Sequence, residues 1–111
     1  MLRQRATLVR PTEAPDADGV PRPAPVTLAT DRPCAIRTLA ATTAAQLRAE
    51  SGAENIDALL YTDPTSPELR GGDVAEVTGA GTWVAVTTSA SHYGQGGELE
   101  HRSTPVVREV R

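Results

Sequence analysis

The sequence predicts a mainly β protein, a small β-barrel or β-sandwich with one short helical insertion. Two observations lead to this fold class. Short segments with an apolar residue at every second position recur along the chain, and Gly, Pro and Asp residues with turn chemistry separate them. Only one segment has the composition of a helix. At 111 residues, with no internal repeat, the chain is expected to form a single domain over residues 1–111.

The apolar content predicts a thin core. The chain holds 10 Val, 9 Leu and 2 Ile residues, one Trp and no Phe, and its net charge is only −3. The low net charge favours folding over disorder, but a domain this small buries only roughly two-thirds of its unfolded surface. We therefore expect marginal stability for the isolated chain and further burial against other subunits.

The first third of the chain predicts three strands and one loop. Gln4–Arg10 alternates apolar and polar residues and is ended by Pro11. The Pro-rich stretch at about residues 12–25 predicts a loop or an extended hairpin tip, because proline removes backbone donors and its Asp-Gly pair favours a turn. Val26–Ala29 predicts a short edge strand, and Cys34–Leu39 predicts the next strand.

The insertion at about residues 39–55 contains the one predicted helix, Thr43–Ser51. Thr43 and Gln46 have the spacing of a capping box, in which each side chain satisfies a backbone donor of the other residue. Leu47 is the only large apolar residue of this helix. One Leu anchors a short helix poorly, so we expect the insertion to be weakly held or to pack outside the monomer.

The rest of the chain predicts four more strands. A three-residue loop at Gly79–Gly81 predicts a hairpin, His92–Gly97 predicts a Gly-rich turn, and Pro105 predicts a break or a bulge in the last strand. Trp83 is the largest side chain and is expected in the core. The predicted strands are Ile56–Thr62, Asp73–Thr78, Thr82–Thr88 and Glu98–Val110.

Residues that could carry chemistry are sparse. The two histidines, His92 and His101, have too few neighbouring ligands in the sequence for a metal site, and Cys34 is the only cysteine. Asp16–Gly19 lacks the later ligands of a calcium loop and is expected to be a plain turn. We predict neither a cofactor nor an enzymatic activity. No apolar run reaches the length of a membrane-spanning helix, and no secretory signal is expected.

Charge is distributed unevenly along the chain. The first ten residues contain three Arg and no acid, whereas Glu50–Glu76 contains seven acids and one Arg. Opposite charges at the termini and in the middle predict contacts across subunits or with a partner surface. Solvated strand faces are the alternative interpretation. The candidate contact residues are Arg3, Arg5, Arg10, Asp57 and Arg108.

Taken in order, the motifs resemble those of the small head–tail joining proteins of tailed phages, the head-closure or stopper family. The likeness begins with the Arg-rich strand Arg3–Pro11 and the turn at Asp16–Gly19. The closing strand, with Gly97-Glu98-Leu99-Glu100-His101 and Val107-Arg108-Glu109-Val110, is similar too. Its most informative part is similar to the hairpin of the family and reads Leu69-Arg70-Gly71-Gly72-Asp73-Val74, followed by Val77, Gly79, Trp83 and Val84.

The resemblance implies a structural protein of the virion neck, present in the host cytoplasm during assembly. Such proteins form a homo-oligomeric ring between the portal–adaptor complex and the tail terminator or tail tube, and they help to retain packaged double-stranded DNA without reading its sequence. The insertion would then face the channel and gate it. The residues of this expected gating segment are Thr43, Gln46, Leu47, Arg48, Glu50 and Glu54.

Two alternatives stay open at this point. Among phage proteins, a tail terminator or another neck component is the alternative. A small cellular β-barrel binding module is the alternative from a different class, although the chain has few aromatic residues to stack on nucleobases. A ring favours the phage proteins, whereas a stable monomer that binds an oligonucleotide favours the module.

Overall fold

The computed structural model describes residues 3–38, 45–46 and 56–109. These residues are almost entirely β, with nine strands. The strands are β1 (Gln4–Arg10), β2 (Glu13–Pro15), β3 (Pro21–Pro23), β4 (Val26–Thr38), β5 (Ala58–Thr62), β6 (Val74–Val77), β7 (Gly81–Ala85), β8 (Ala90–Tyr93) and β9 (Leu99–Arg108).

Six strands close into a barrel, which confirms the predicted fold class and selects the barrel over the sandwich. The strand order is β5-β4-β1-β6-β7-β9, and β9 returns to pair with β5. Every neighbouring pair is antiparallel. β8 pairs with the same edge of β9 as β7 does, opposite β5. It lies beyond the end of β7, beside the N-terminal half of β9. Of the predicted helix, the described residues include only Ala45 and Gln46, both helical; the rest of the insertion lies outside them.

β4 corrects two predictions at once. The sequence suggested two short strands, the first of them at a sheet edge, but Val26–Thr38 is one strand that pairs with β1 and then with β5. Two register shifts against β1 absorb the extra residues, and Asp31 lies near them with φ of 50°. An Asp tolerates this left-handed conformation, so the bulge bends the strand without ending it.

The Pro-rich stretch forms a hairpin that we call the arm, residues Glu13–Pro23. The Asp16 carboxylate holds its turn, because Oδ1 accepts the N–H groups of Asp18 and Val20, each at 2.9 Å. Oδ2 of the same carboxylate pairs with Arg22 at 3.0 Å. The expected hairpin tip and plain turn are therefore confirmed, and all six strand residues of the arm are exposed.

Two predictions near the end of the chain are wrong. The predicted turn at His92–Gly97 begins later, at Gly94, because β8 continues to Tyr93 against β9. The expected break or bulge at Pro105 is absent, since β9 stays in register with β5 from Arg102 to Val106. In a strand, the N and the C=O of one residue face the same side. The carbonyl of Pro105 accepts the Val86 N–H, so the ring nitrogen of Pro105 also faces the β7 side of β9, just past the end of β7. The pairing with β5 needs no donor from it.

The core fills the barrel as expected, with Trp83 only 7% exposed. Its indole Nε1 donates to the carbonyl of Ala80 at 3.0 Å, so the one polar atom of the ring is satisfied. Within the part of the chain that the structure describes, no helix is long and apolar enough to cross a membrane. The large fully buried apolar side chains around the tryptophan are Leu8, Leu60, Leu69 and Val106.

Candidate functional site

A partly buried ion pair joins the end of β1 to the start of β6. The Arg10 guanidinium donates from Nε to Asp73 Oδ1 at 3.0 Å and from its terminal nitrogen to Oδ2 at 2.9 Å. Asp73 is 3% exposed. Burial raises the pKa of this carboxyl, but the hydrogen bonds from Arg10 and from the Arg70 N–H outweigh it and hold the pKa below its ordinary value.

The turn Arg70–Asp73 gives this ion pair its geometry. The Asp73 N–H donates to the Arg70 carbonyl at 3.0 Å, and Gly72 has φ of 92°, which identifies a type II turn. Gly71 is tightly packed, because a Cβ there would lie 3.2 Å from the carbonyl oxygen of Val86 and would require a small shift of that backbone. A shallow groove of about 300 Å³ runs past the pair and is lined by Arg10, Pro11 and the turn.

An apolar row crosses the outside of the barrel. Val9 lies opposite Val74, Val74 opposite Val84, and Val84 opposite Val107, so one valine from each of four neighbouring strands forms a continuous line. Each is partly exposed. The residues next to them in sequence, Leu8, Ala75, Ala85 and Val106, are buried in the core. Because strand side chains alternate between faces, these four valines point outward. We call them the outer valine row.

The surroundings of the outer valine row are polar on one side and apolar on the other. Thr7, Glu76 and Thr82 form the next outward row along the strands. On the other side the apolar surface continues through Pro105, which lies opposite Leu59 of β5. Of the described residues, the partly buried apolar ones packed against the core are Leu28, Ala29, Ile36 and Ala80, and they include none of this row. This contiguous, partly exposed apolar surface with polar residues along one side is a candidate interaction site.

The arm is the second exposed feature, and its edges are closed to further strands. Backbone bonds join Thr12 to Ala24 and Asp16 to Val20, so alternation makes Ala14 and Arg22 the bonded pair between them. The backbone of the remaining positions, Glu13, Pro15, Pro21 and Pro23, faces outward. Three of these four lack an N–H. A strand from another molecule therefore finds almost no donors along the arm.

A row of rings lies on a third surface. Arg37 stands 5.8 Å from the centre of the Tyr61 ring, and Tyr61 is 5.7 Å from His101. His101 stacks on His92, with ring centres 4.5 Å apart and planes 14° apart. His92 Nε2 also shares a hydrogen bond with Ser103 Oγ at 2.8 Å. This row crosses β4, β5, β9 and β8 on the outside of the barrel.

The structure brings several predicted contact residues together within one chain. Arg10 is committed to Asp73, an acid of the predicted acidic segment. Arg108 donates its backbone N–H to Asp57 Oδ2 at 3.0 Å, and its guanidinium lies 6.0 Å from the Trp83 ring centre. Arg5 makes a loose exposed pair with Asp31 at 3.9 Å. Arg3 is exposed beside the start of β1. Contacts of these residues with another chain stay a prediction.

The predicted gating segment lies mostly outside the described residues. Gln46 is exposed and helical. Thr43, Leu47, Arg48, Glu50 and Glu54 are not among the residues that the structure describes. The gating role therefore stays a prediction from the sequence.

Two side chains that could act as nucleophiles, Cys34 and Ser89, are both buried. Burial raises the pKa of the Cys34 thiol to about 11, with Arg5 opposing this only weakly. Ser89 is buried, accepts the Leu69 N–H at 3.0 Å and shares a 2.7 Å hydrogen bond with Thr104. Residues 3–38, 45–46 and 56–109 contain no group of three or more His, Cys, Asp or Glu side chains placed to hold a metal ion.

Sequence reasoning missed the outer valine row. Its only local signal is the adjacent pair Val106-Val107, which cannot both face the core from one strand.

Comparison with known proteins does not identify a family for this chain. No protein-family model, curated protein or solved structure matched it.

Proposed function

We propose that this chain is a subunit of the head–tail connector of a tailed phage, a head-closure ring that joins the portal–adaptor complex to the tail. The observation that carries the proposal is the Arg10–Asp73 pair. It unites the two segments on which the resemblance depends most, the Arg-rich first strand and the Leu69–Val84 hairpin, in one structural unit. The motifs are thus related in space as well as in order.

Two surface features support an assembling protein. The arm exposes every strand residue, and the outer valine row leaves apolar side chains partly uncovered. A chain with a core built largely of Ala, Val and Leu gains stability when such surfaces are covered by neighbours. In this proposal the packaged double-stranded DNA passes through the ring, and the segment at residues 39–55 faces the channel.

The proposal is tested by first reading the genes beside this one, which are expected to encode portal and adaptor proteins, and then mixing those proteins with this chain. Electron microscopy and native mass spectrometry of the mixture should show this protein as a ring on the adaptor. Adding the protein to filled heads that lack it should reduce the release of DNA measured by nuclease digestion. A protein that stays monomeric beside a properly assembled portal–adaptor complex would contradict the proposal.

The row of rings favours a second candidate, a small binding module for single-stranded nucleic acid. Tyr61, His101 and His92 present stacked rings on one outer face, and Arg37 adds a positive charge beside them. Fluorescence anisotropy with labelled oligonucleotides separates the two candidates. Binding by a stable monomer that is lost in Tyr61→Ala would favour the module, whereas a ring without oligonucleotide affinity favours the connector.

A further inference from the structure

We propose that the arm of one copy docks on the outer valine row of the next copy, with its acidic tip at the Arg70 end of that row. This inference rests on the proposed ring and names the contact between its subunits. The contact joins two different surfaces of the same chain. Such head-to-tail contacts close into rings when the rotation between copies allows it.

The chemistry of the arm fits an apolar surface. Its turn and second strand present Val20, Pro21 and Pro23, all exposed, and Val20 is 45% exposed. Proline fixes the backbone, and the Asp16 carboxylate holds the turn, so docking costs little conformational entropy. The blocked edges exclude strand addition as the way the arm binds. Its side chains must make the contact.

The dimensions of the two surfaces agree. Four neighbouring strands separated by about 4.8 Å place the ends of the valine row about 14 Å apart. From Thr12 to Asp16, four residue steps of about 3.4 Å give the arm a length of about 14 Å. The arm can therefore cover the whole row from Val107 to Val9.

Charge sets the direction in which the arm lies along the outer valine row. The arm and its flanks, residues 12–25, hold three acids (Glu13, Asp16 and Asp18) and one base (Arg22), a net charge of −2. The groove lined by Arg10 and Arg70 lies beside the Val9–Val74 end of the row, displaced along the strands toward the Pro105 side, whereas Thr27 of β4 is the next residue across the sheet from Val9. Asp73 neutralises Arg10, which leaves the exposed Arg70 as the positive group facing an incoming tip. Asp18, exposed at the tip, is its expected partner.

Cysteine cross-linking tests the contact directly. The single variants Val20→Cys and Val84→Cys are mixed with a short bifunctional maleimide, and the native Cys34 stays unreactive because it is fully buried. A covalent dimer that needs both variants is expected. Val20→Cys mixed with Tyr93→Cys is the matched control, because Tyr93 is 66% exposed but lies on β8, outside the row. Cross-linking to Tyr93 equal to that at Val84 would overturn the assignment.

Charge reversal gives a second, independent test. Asp18→Arg and Arg70→Asp should each weaken self-association by at least about fivefold in sedimentation velocity. The double variant restores the pair with opposite polarity and should return to within about twofold of the original chain. Circular dichroism confirms that the variants are folded. A double variant as weak as the sum of the single variants would show that these two residues do not meet.

The outcomes separate this inference from the proposed function. Rings on the portal–adaptor complex without the Val20–Val84 cross-link would leave the function standing and overturn the arm contact. A specific cross-link and charge rescue, in assemblies that never attach to the portal–adaptor complex, would support the contact and overturn the function. Absence of self-association and of cross-linking, even with the portal–adaptor complex added, would contradict both.

Discussion

Arg10 and Asp73 lie 63 residues apart in sequence, yet their side chains meet in a two-point hydrogen-bonded pair between the end of β1 and the start of β6. The Asp73 carboxylate also accepts the Arg70 N–H at 2.8 Å, and its backbone carbonyl accepts the Ala85 N–H at 2.8 Å. One residue thus connects the first strand, the Gly-Gly turn and the β6–β7 hairpin. This explains in physical terms why the turn needs Gly-Gly-Asp at this point.

We predict that Asp73→Asn destabilises the fold by about 2–3 kcal/mol, because it leaves the Arg10 charge partly buried without its counterion. The free energy of unfolding in urea measures the change. Glu76→Gln is the control, since Glu76 is an exposed acid on the same strand and should change stability by less than about 0.5 kcal/mol. Equal effects of the two substitutions would contradict the assigned role.

The same carboxylate should give stability a pH dependence of predictable sign. The folded-state pKa of Asp73 is lowered, so its contribution is present above the unfolded pKa, about 3.9, and is lost as pH falls through the lower folded value. The stability difference between the original chain and Asp73→Asn should therefore be constant near neutral pH and shrink below about pH 4. A difference that grows on acidification would show the opposite sign and refute the argument.

Trp83→Ala should destabilise the barrel by roughly 3–5 kcal/mol, because it empties the largest volume in a core of small side chains. Given the thin core, the variant is expected to be largely unfolded or insoluble. Tyr93→Ala is the matched aromatic control, since Tyr93 is 66% exposed and should cost little. A loss below about 1 kcal/mol for Trp83→Ala would show that the indole is not a core element.

Restoring donors to the arm should promote aggregation. Replacing Pro21 and Pro23 with Thr adds two outward N–H groups to the β3 edge, which makes it a template for strand addition. Light scattering over time should rise in this double variant. Ala14→Thr is the control, because the Ala14 N–H points into the hairpin. If both variants scatter alike, the prolines do not protect the edge.

Self-assembly should weaken with salt if the charged termini meet acids of a neighbouring copy. Of the candidate arginines for such contacts, Arg3, Arg5 and Arg108 remain, because Arg10 already forms an ion pair with Asp73. Exposed charges more than about 10 Å apart are screened at roughly 0.1 M salt. Sedimentation velocity across a salt series measures the effect. Insensitivity to salt would indicate that the outer valine row, an apolar surface, dominates the contact.

Deletion of residues 42–53, with a short Gly-Ser link, tests the insertion. We predict a folded barrel that still assembles but loses DNA from filled heads, because the sequence gives this segment only Leu47 as an apolar anchor. Circular dichroism, electron microscopy and nuclease sensitivity measure the three properties. An unfolded variant would identify the helix as part of the core. Heads that stay filled would exclude a gating role.

Local patterns were sufficient for several of the strands and turns. Alternation in Gln4–Arg10 predicted β1 with its boundaries, Gly79–Gly81 predicted the β6–β7 turn, and the aromatic Trp83 predicted the centre of the core. These features depend on side-chain periodicity, on backbone conformation at Gly and on size, all of which are properties of a few consecutive residues.

Pairing between strands that are distant in sequence decided the features that local patterns did not predict. Alternation cannot say that Val26–Thr38 is one bent strand, since the two bulges exist only against the register of β1. It cannot place Val9, Val74, Val84 and Val107 in one outward line, because each register is set by the closure of the barrel. The Arg10–Asp73 pair depends on the same closure. Register is a long-range property: it minimises the exposed apolar area of all six barrel strands together, and no single segment contains that information.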